Sequence, residues 1–403
     1  MINIDDPAET QSTPALWRLA FRPFFLFASV LACLYIPTWL LAWYQPQWSW
    51  FSTEFWAQVV PLWWHPHELI FGFALAIVVG FLLTAVQTWT NQKSLSGWSL
   101  AMLFACWAAA RLGLLIPLPV SLIPIAILDC LFLLSASFAM GRRIFKVRQW
   151  RNAVFPVMLF LAAMVNALSY WALAHKDFVL ANQIWQAMLW WLALLITIVG
   201  GRVIPFFSAM RLKKDKPQPL AWLDYPLMAL MAVIAIQALA QPLPNTWLPT
   251  TLALAGSLQL VRFLRWKPWQ TVGEPMLWSL HLAYAFLPLT LLLIAVYWDN
   301  PFVSRQLLHL FAIGTMASLC LSMISRVSLG HTSRNVYQGP NMALAFISLA
   351  LAALLRTLMP IILPDFTLWW HWGAAAFWFL AFAVFVWHYA PILTRPRVDG
   401  RPG

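Results

Sequence analysis

The stretch that decides the fold is WWHPHELIFGFALAIVVGFLLTAVQTWT, residues 63–90. After Glu68 it has no charged residue up to Thr90, and about 20 consecutive apolar residues are enough for a helix to cross a bilayer. The stretch therefore predicts a transmembrane helix over 66–90. Its beginning carries two histidines and a glutamate, which are costly in a membrane, so this helix start is the first candidate for a functional site.

The composition of the chain extends this prediction to an integral membrane protein. Of 403 residues, 62% are hydrophobic and 9% are charged, with 27 Trp and 28 Phe; no water-soluble core buries so much apolar surface. The net charge is +12, but the basic residues lie in short clusters between apolar runs, which is typical of topology signals rather than nucleic-acid binding. The acidic first twelve residues lack the basic leader of a cleavable signal peptide, so we expect the first apolar segment to stay as an anchor.

The hydrophobic pattern predicts an all-α polytopic membrane protein with about 12 transmembrane helices. These lie near 24–44, 66–90, 98–117, 119–140, 154–174, 179–201, 221–240, 246–264, 276–297, 302–325, 341–360 and 368–390. A membrane domain over 23–391 then separates an N-terminal tail, 1–22, from a C-terminal tail, 392–403. All but four of the 25 Lys and Arg residues fall in these tails or in alternate loops. The positive-inside rule therefore places both tails in the cytoplasm.

The spacing of three helices suggests an internal repeat. The second, sixth and tenth helices enter from the same side and begin with His67, Gln186 and His309, about 120 residues apart. Three repeats of four helices predict this spacing. Helices of similar length in an even series also produce it, so both interpretations stay open.

Membrane depth divides the histidines into two groups. His65, His67 and His309 lie toward the outer face, where imidazoles from the second and tenth helices are suited to the two faces of one haem. Two other interpretations stay open. In the first, these histidines serve only as interfacial polar groups beside tryptophans. In the second, the helix begins at Pro66, with His65 at its cap and Glu68 at the positive end of its dipole.

The cytoplasmic group is less specific. His281 lies in LWSLHLAY with Tyr284 on the same helix face, and His331 lies in SLGHTSR. One hypothesis is that the two histidines bracket a second cofactor. The alternative is that His281 forms a hydrogen bond with another helix and that His331 is an ordinary loop residue. Arg202 and Arg334 are candidates for holding propionates or other anions, with topology signals as the alternative.

Other polar residues in the spans restrict the chemistry. Arg111 and Asp129 lie at similar depth on neighbouring antiparallel spans, so we expect a salt bridge, with a proton path as the alternative. Pro205 predicts a break in the sixth helix. The four cysteines lack CxxC spacing, which argues against a zinc site, c-type haem attachment or an iron-sulfur cluster. Hydrolytic and phosphoryl-transfer motifs are absent from the sequence.

Five strings of this sequence together resemble the NnrS family of bacterial inner-membrane proteins. They are FRPFF at 21–25, WHPHELIFGF at 64–73, GRVIPFF at 201–207, LHLAYAFLPL at 280–289 and HLFAIGTMASLCLSMISRVSLGHTSR at 309–334. The chain departs from the usual family pattern at Pro66, where the family has Ala, and at Ser333, where it more often has Gly. Neither change removes a candidate ligand.

The resemblance implies a multi-pass protein of the bacterial inner membrane that carries haem b, one or two groups, with copper as a further metal. It also implies a role in denitrification and resistance to nitrosative stress, with nitric oxide as the small gaseous ligand, an electron donor as partner and contact with membrane lipid. The family motifs match the candidate metal and haem ligands His65, His67, His281, His309 and His331, and the charged cofactor-binding candidates Glu68, Arg202 and Arg334.

The helix layout is also similar to the catalytic subunit of haem-copper oxidases, with histidines on helices two and ten. This likeness rests on architecture alone, and helices six and seven lack the histidine cluster that holds copper in those enzymes. The leading hypothesis is a haem protein that binds nitric oxide or transfers electrons, acting as an oxidoreductase if it turns nitric oxide over. The alternatives are a secondary transporter of a small solute or metal and a metal-delivery or sensor protein.

Overall fold

The structure, a computed structural model, describes residues 13–45, 59–116 and 121–401. It is 83% helix, and no strand is found in this described part. Twelve long helices follow one another along these described ranges, and each overlaps one of the predicted spans. The prediction of an all-α polytopic membrane protein is therefore confirmed.

The helices are numbered in chain order. Their bounds are α1 Phe21–Tyr44, α2 Pro61–Thr90, α3 Gly97–Leu115, α4 Leu122–Lys146, α5 Val154–Ala174, α6 Phe178–Leu212, α7 Ala221–Ala240, α8 Leu248–Arg265, α9 Pro275–Val296, α10 Pro301–His331, α11 Ala343–Ile362 and α12 Thr367–Thr394. Of the predicted tails, residues 1–12 and 402–403 lie outside the described residues, as do residues 117–119, where the predicted spans 98–117 and 119–140 meet. The tail boundaries stay predictions.

Eleven helices of the described chain are long and apolar enough to cross a membrane by length and composition. The remaining long helix is α8, which has 18 residues and carries Arg262 and Arg265 in its last turn. Both arginines reduce the mean hydropathy of α8. Despite this, α8 packs closely against the apolar α9. Large apolar side chains on the outside, such as Trp98 and Trp387 at 85% and 80% exposure, suit contact with lipid.

The sequence predicts a helix start at Pro66 and a helix break at Pro205, but both prolines lie inside helices. α2 begins at Pro61, so Pro66 lies inside it, and the interpretation that the helix starts at Pro66 with a cap at His65 is wrong. α6 continues through Pro205 to Leu212, so the predicted break is also wrong. In apolar surroundings the backbone has no water to bond if the helix opens, which favours continuing a helix past a proline.

The chain divides into two compact units. The first comprises Met1–Ala181, Ile324–Gly339 and Phe385–Gly403. Within it α1 packs against α2, α2 and α3 against α4, and α4 against α5. The aromatic residues of the FRPFF string are fully buried here: the Phe24 ring lies 5.9 Å from Trp107 and 5.4 Å from Phe132. The string is thus a packing element at the start of α1.

The second unit comprises Asn182–Met323 and Pro340–Val384. Within it α8 packs against both α7 and α9, and the middle of α10 packs against α9 and α11. Phe311 of α10 lies with its ring 5.9 Å from Trp190 of α6. Of the candidate site residues, this unit holds Arg202, His281 and His309.

Candidate functional site

A cluster of charged and polar side chains lies inside the first unit. His67, Glu68, Arg111, Asp129 and Asn166 come from α2, α3, α4 and α5 and are at most 1% exposed. We call these five residues the His67 cluster. So many ionisable groups are expensive to bury unless they pair with one another.

Arg111 is the centre of the charge pairing. Its Nη2 lies 2.5 Å from Asp129 Oδ2, and its Nη1 lies 2.5 Å from Glu68 Oε1. The predicted salt bridge between Arg111 and Asp129 is therefore present. Glu68 is a second partner of the same guanidinium, and not a partner of the helix dipole at a first turn.

His67 completes the cluster through both of its ring nitrogens. Nδ1 lies 3.0 Å from Glu68 Oε1, and Nε2 lies 3.0 Å from Asn166 Oδ1 and 3.4 Å from Asp129 Oδ2. The Tyr170 hydroxyl donates to Asp129 Oδ2 at 3.0 Å. In this arrangement neither ring nitrogen of His67 is open to a metal ion.

An irregular segment of α2 brings these groups together. Residues Glu68–Ala74 form a π-helix, a rare conformation that occurs frequently at functional sites. The indole Nε1 of Trp107 donates to Gly72 O at 2.9 Å, which anchors α3 on this segment. A Cβ atom at Gly72 would lie 2.7 Å from Arg111 Nη1, so the missing side chain leaves the space that the guanidinium occupies.

α10 has a corresponding segment in the second unit. Residues Leu310–Ala317 also form a π-helix, and it begins directly after His309, as the first begins directly after His67. Both segments have a glycine five positions after the histidine, in HELIFG and HLFAIG. His309 itself is half-buried, with Nδ1 3.4 Å from Arg305 O. α6 is α-helical throughout, and the threefold repeat stays a prediction.

The other candidate histidines of the first unit have different surroundings. His65 is half-buried, and its ring lies 4.3 Å from the Trp39 ring. His331 is the last residue of α10 rather than a loop residue, and its ring lies 5.5 Å from Phe21. His67 and His331 belong to the first unit, whereas His309 and His281 belong to the second. The two-helix haem clamp stays a prediction, as does the bracketing of a second cofactor.

His281 lies in α9 and is 2% exposed. Its Nε2 lies 2.9 Å from the Ser208 hydroxyl of α6. The Phe263 and Trp266 rings of the α8 region lie 6.2 Å and 6.3 Å from its ring. Its Nδ1 is buried and has no hydrogen-bond partner among the described residues.

The two candidate arginines lie in different units. Arg202 of α6 is half-buried, and its carbonyl oxygen accepts a hydrogen bond from Lys216 Nζ at 3.5 Å. Arg334 follows α10, where partial burial and the nearby Arg395 guanidinium lower its pKa below the usual range. Their role as propionate or anion partners stays a prediction.

A second polar cluster, in the second unit, was not predicted from the sequence. Arg262 Nη2 lies 3.1 Å from Asp224 Oδ1, and Arg262 Nη1 donates to Thr197 O at 2.9 Å. Gln259 donates to Thr197 Oγ1 at 2.7 Å and accepts a hydrogen bond from Tyr284. The positive-inside pattern places Arg262 in a loop. Two features of the sequence could have indicated this cluster. Arg262 is three residues from Gln259, and a neighbouring span carries the carboxylate of Asp224.

Within the described ranges, no three His, Cys, Asp or Glu side chains are arranged to hold a metal ion. In the His67 cluster, the guanidinium of Arg111 already occupies the space between the two carboxylates.

A comparison with curated proteins found no match. A comparison with sequence models of protein families found one that matches residues 15–397, and its description is NnrS protein. The match includes all twelve helices and both polar clusters. This chain belongs to the NnrS family of membrane proteins.

Proposed function

We propose that this protein binds haem in the membrane and takes part in the response to nitric oxide, by binding the gas or by passing electrons. Membership of the NnrS family fits a role related to nitric oxide. The observation that carries the haem part of the proposal is the unpaired ring nitrogen of His281.

The hydrogen bonds around Ser208 support one choice of the available nitrogen of His281. The Ser208 hydroxyl donates its single hydrogen to Ile204 O at 3.1 Å. In the tautomer that we propose, its oxygen accepts a hydrogen bond from His281 Nε2, 2.9 Å away. His281 Nδ1 then carries the lone pair. The bond made by one ring nitrogen commonly determines which nitrogen binds a metal.

A buried lone pair without a donor is costly, and a metal ion would remove this cost. The residues present thus fit an iron or copper ligand at His281, positioned by Ser208, with Phe263 and Trp266 excluding water. Haem iron, when bound, supplies a coordination position for a diatomic gas. Arg202, on the same helix as Ser208, is the candidate to hold a propionate.

The decisive measurement is a reduced-minus-oxidised optical spectrum of the purified protein, together with iron and copper analysis. We expect a haem b spectrum that changes on addition of nitric oxide. His281→Ala should lose most of this spectrum because it removes the ligand. Ser208→Ala should weaken haem affinity about 10-fold to 100-fold, the usual effect of removing a partner that orients a ligating histidine.

The matched control is His175→Ala. His175 is an exposed histidine at the end of α5 whose Nδ1 bonds Trp171 O at 2.9 Å, so its loss should leave the spectrum unchanged. The absence of a haem band from wild-type protein would contradict the proposed cofactor. A spectrum that is insensitive to His281→Ala would place the ligand elsewhere.

We also propose that the protein lies in the bacterial inner membrane with both termini in the cytoplasm. The distribution of Lys and Arg between alternate loops supports this orientation. A reporter domain that is active only in the cytoplasm should be active when it is fused to either terminus.

A further inference from the structure

We infer that His67 carries a hydrogen on both ring nitrogens and, as an imidazolium, closes a charge-neutral cluster with Glu68, Arg111 and Asp129. The second histidine of the WHPHE string would then hold a proton and not a metal. This inference does not depend on the proposed haem function.

The first argument comes from the atoms that face the imidazole. Nδ1 meets Glu68 Oε1 at 3.0 Å, and the same oxygen accepts a hydrogen bond from Arg111, so it acts as an acceptor toward both groups. Nε2 meets Asn166 Oδ1 at 3.0 Å and Asp129 Oδ2 at 3.4 Å. Because each of these three atoms is an oxygen acceptor in this arrangement, a lone pair on either nitrogen would face another lone pair. An imidazolium donates on both sides.

The second argument is the charge balance. Two carboxylates and one guanidinium leave one negative charge in a site whose members are at most 1% exposed. The cost of burying an uncompensated ion is several kcal/mol. Among the described residues, the other ionisable groups that interact with the cluster are the phenols of Tyr35 and Tyr170 and the thiol of Cys130, and none of them is a cation. A proton on His67 neutralises the cluster and leaves both carboxylates ionised beside the Arg111 guanidinium.

The orientation of the Asn166 amide does not alter this result. Rotating the amide would let its unpaired Nδ2 donate to a neutral His67. Nε2 would then direct a lone pair at Asp129 Oδ2, 3.4 Å away, and the cluster would keep its negative charge. The imidazolium removes both defects with one proton.

An imidazolium has no lone pair and cannot ligate iron or copper. Removing His67 should therefore affect the cluster without affecting metal content. The π-helical turn after His67 serves this pairing, because it carries Glu68 and gives Arg111 the space at Gly72. The cluster is thus a buried site, formed by residues of four helices, that holds one proton on His67.

The test is 15N NMR of the full-length protein labelled at histidine, at pH 8, where an exposed imidazole with a pKa near 6.5 is neutral. Of eight histidines, one should show two protonated ring nitrogens, and this signal should be lost in His67→Gln. In Glu68→Gln, one negative charge is removed, so the same histidine should change to a neutral tautomer. A wild-type His67 with one bare ring nitrogen overturns the inference.

Stability provides a second readout that separates charge balance from packing. His67→Gln leaves the cluster with one negative charge, whereas His67→Gln with Glu68→Gln restores neutrality. We expect the double variant to unfold at a higher temperature than the single one; further destabilisation by the second change would contradict the inference. Iron and copper content should be unchanged in His67→Gln, and its loss would show that His67 is a metal ligand. If the variants fail to fold, the wild-type NMR signal alone decides.

Discussion

Arg111→Met should lower the free energy of unfolding by about 3–5 kcal/mol, the usual cost of removing one partner from a buried ion pair. The guanidinium lies 2.5 Å from both Glu68 Oε1 and Asp129 Oδ2. Methionine fills a similar volume but leaves two carboxylates with only His67 as a cation. The measurement is an unfolding titration of purified protein in lipid bicelles, followed by tryptophan fluorescence.

A surface ion pair provides the matched control. Arg211 Nη2 lies 3.0 Å from Glu274 Oε2, but the arginine side chain is 45% exposed. Arg211→Met should therefore cost at most about 1 kcal/mol. Equal costs for the two arginine variants would show that the His67 cluster contributes no more than a solvated pair.

The charge balance makes a further distinction within this experiment. Adding Asp129→Asn to Arg111→Met removes one of the two carboxylates and leaves Glu68 paired with His67, 3.0 Å away. The double variant should be more stable than Arg111→Met alone, because its cluster is neutral again. Additive destabilisation would argue that loss of packing, and not the unpaired charge, is the cause.

The sequence predicts the pairing of Arg111 with Asp129 because membrane depth can be counted in residues from the turn between two spans. It does not predict that Glu68 joins them. Glu68 begins the π-helix after His67, and α-helical periodicity gives no signal for such a segment. Gly72, which leaves room for the guanidinium, is visible in the sequence. Its contact with Arg111 is not, because Arg111 lies on another helix.

The positions of the helices were predictable because a membrane span must form all its backbone hydrogen bonds within itself. A long apolar run therefore becomes a helix. Helix ends were less predictable, as α2 begins at Pro61 and α10 extends to His331. Polar contacts between helices carry no periodic signal. The cluster around Arg262 was therefore missed, and its arginine was assigned to a loop.

Gly201→Ala should destabilise the protein by about 1–3 kcal/mol, the usual cost of inserting an atom into a well-packed interior. A Cβ at this position would collide with the Arg262 guanidinium. That guanidinium has little freedom to move, because it donates to Thr197 O at 2.9 Å, pairs with Asp224 at 3.1 Å and lies over the Trp266 ring.

The neighbouring glycine makes a sharp control, since Gly200 lies in the same helix one residue away. A Cβ at Gly200 would lie 3.4 Å from the nearest atom, Tyr284 Cε2, and alanine is favoured over glycine in a helix by roughly 0.5–1 kcal/mol. Gly200→Ala should therefore be neutral or slightly stabilising. In an Arg262→Ala background, Gly201→Ala should lose most of its cost, because the colliding group is gone. If the cost of Gly201→Ala is unchanged there, the second unit needs this glycine for its backbone and not to accommodate Arg262.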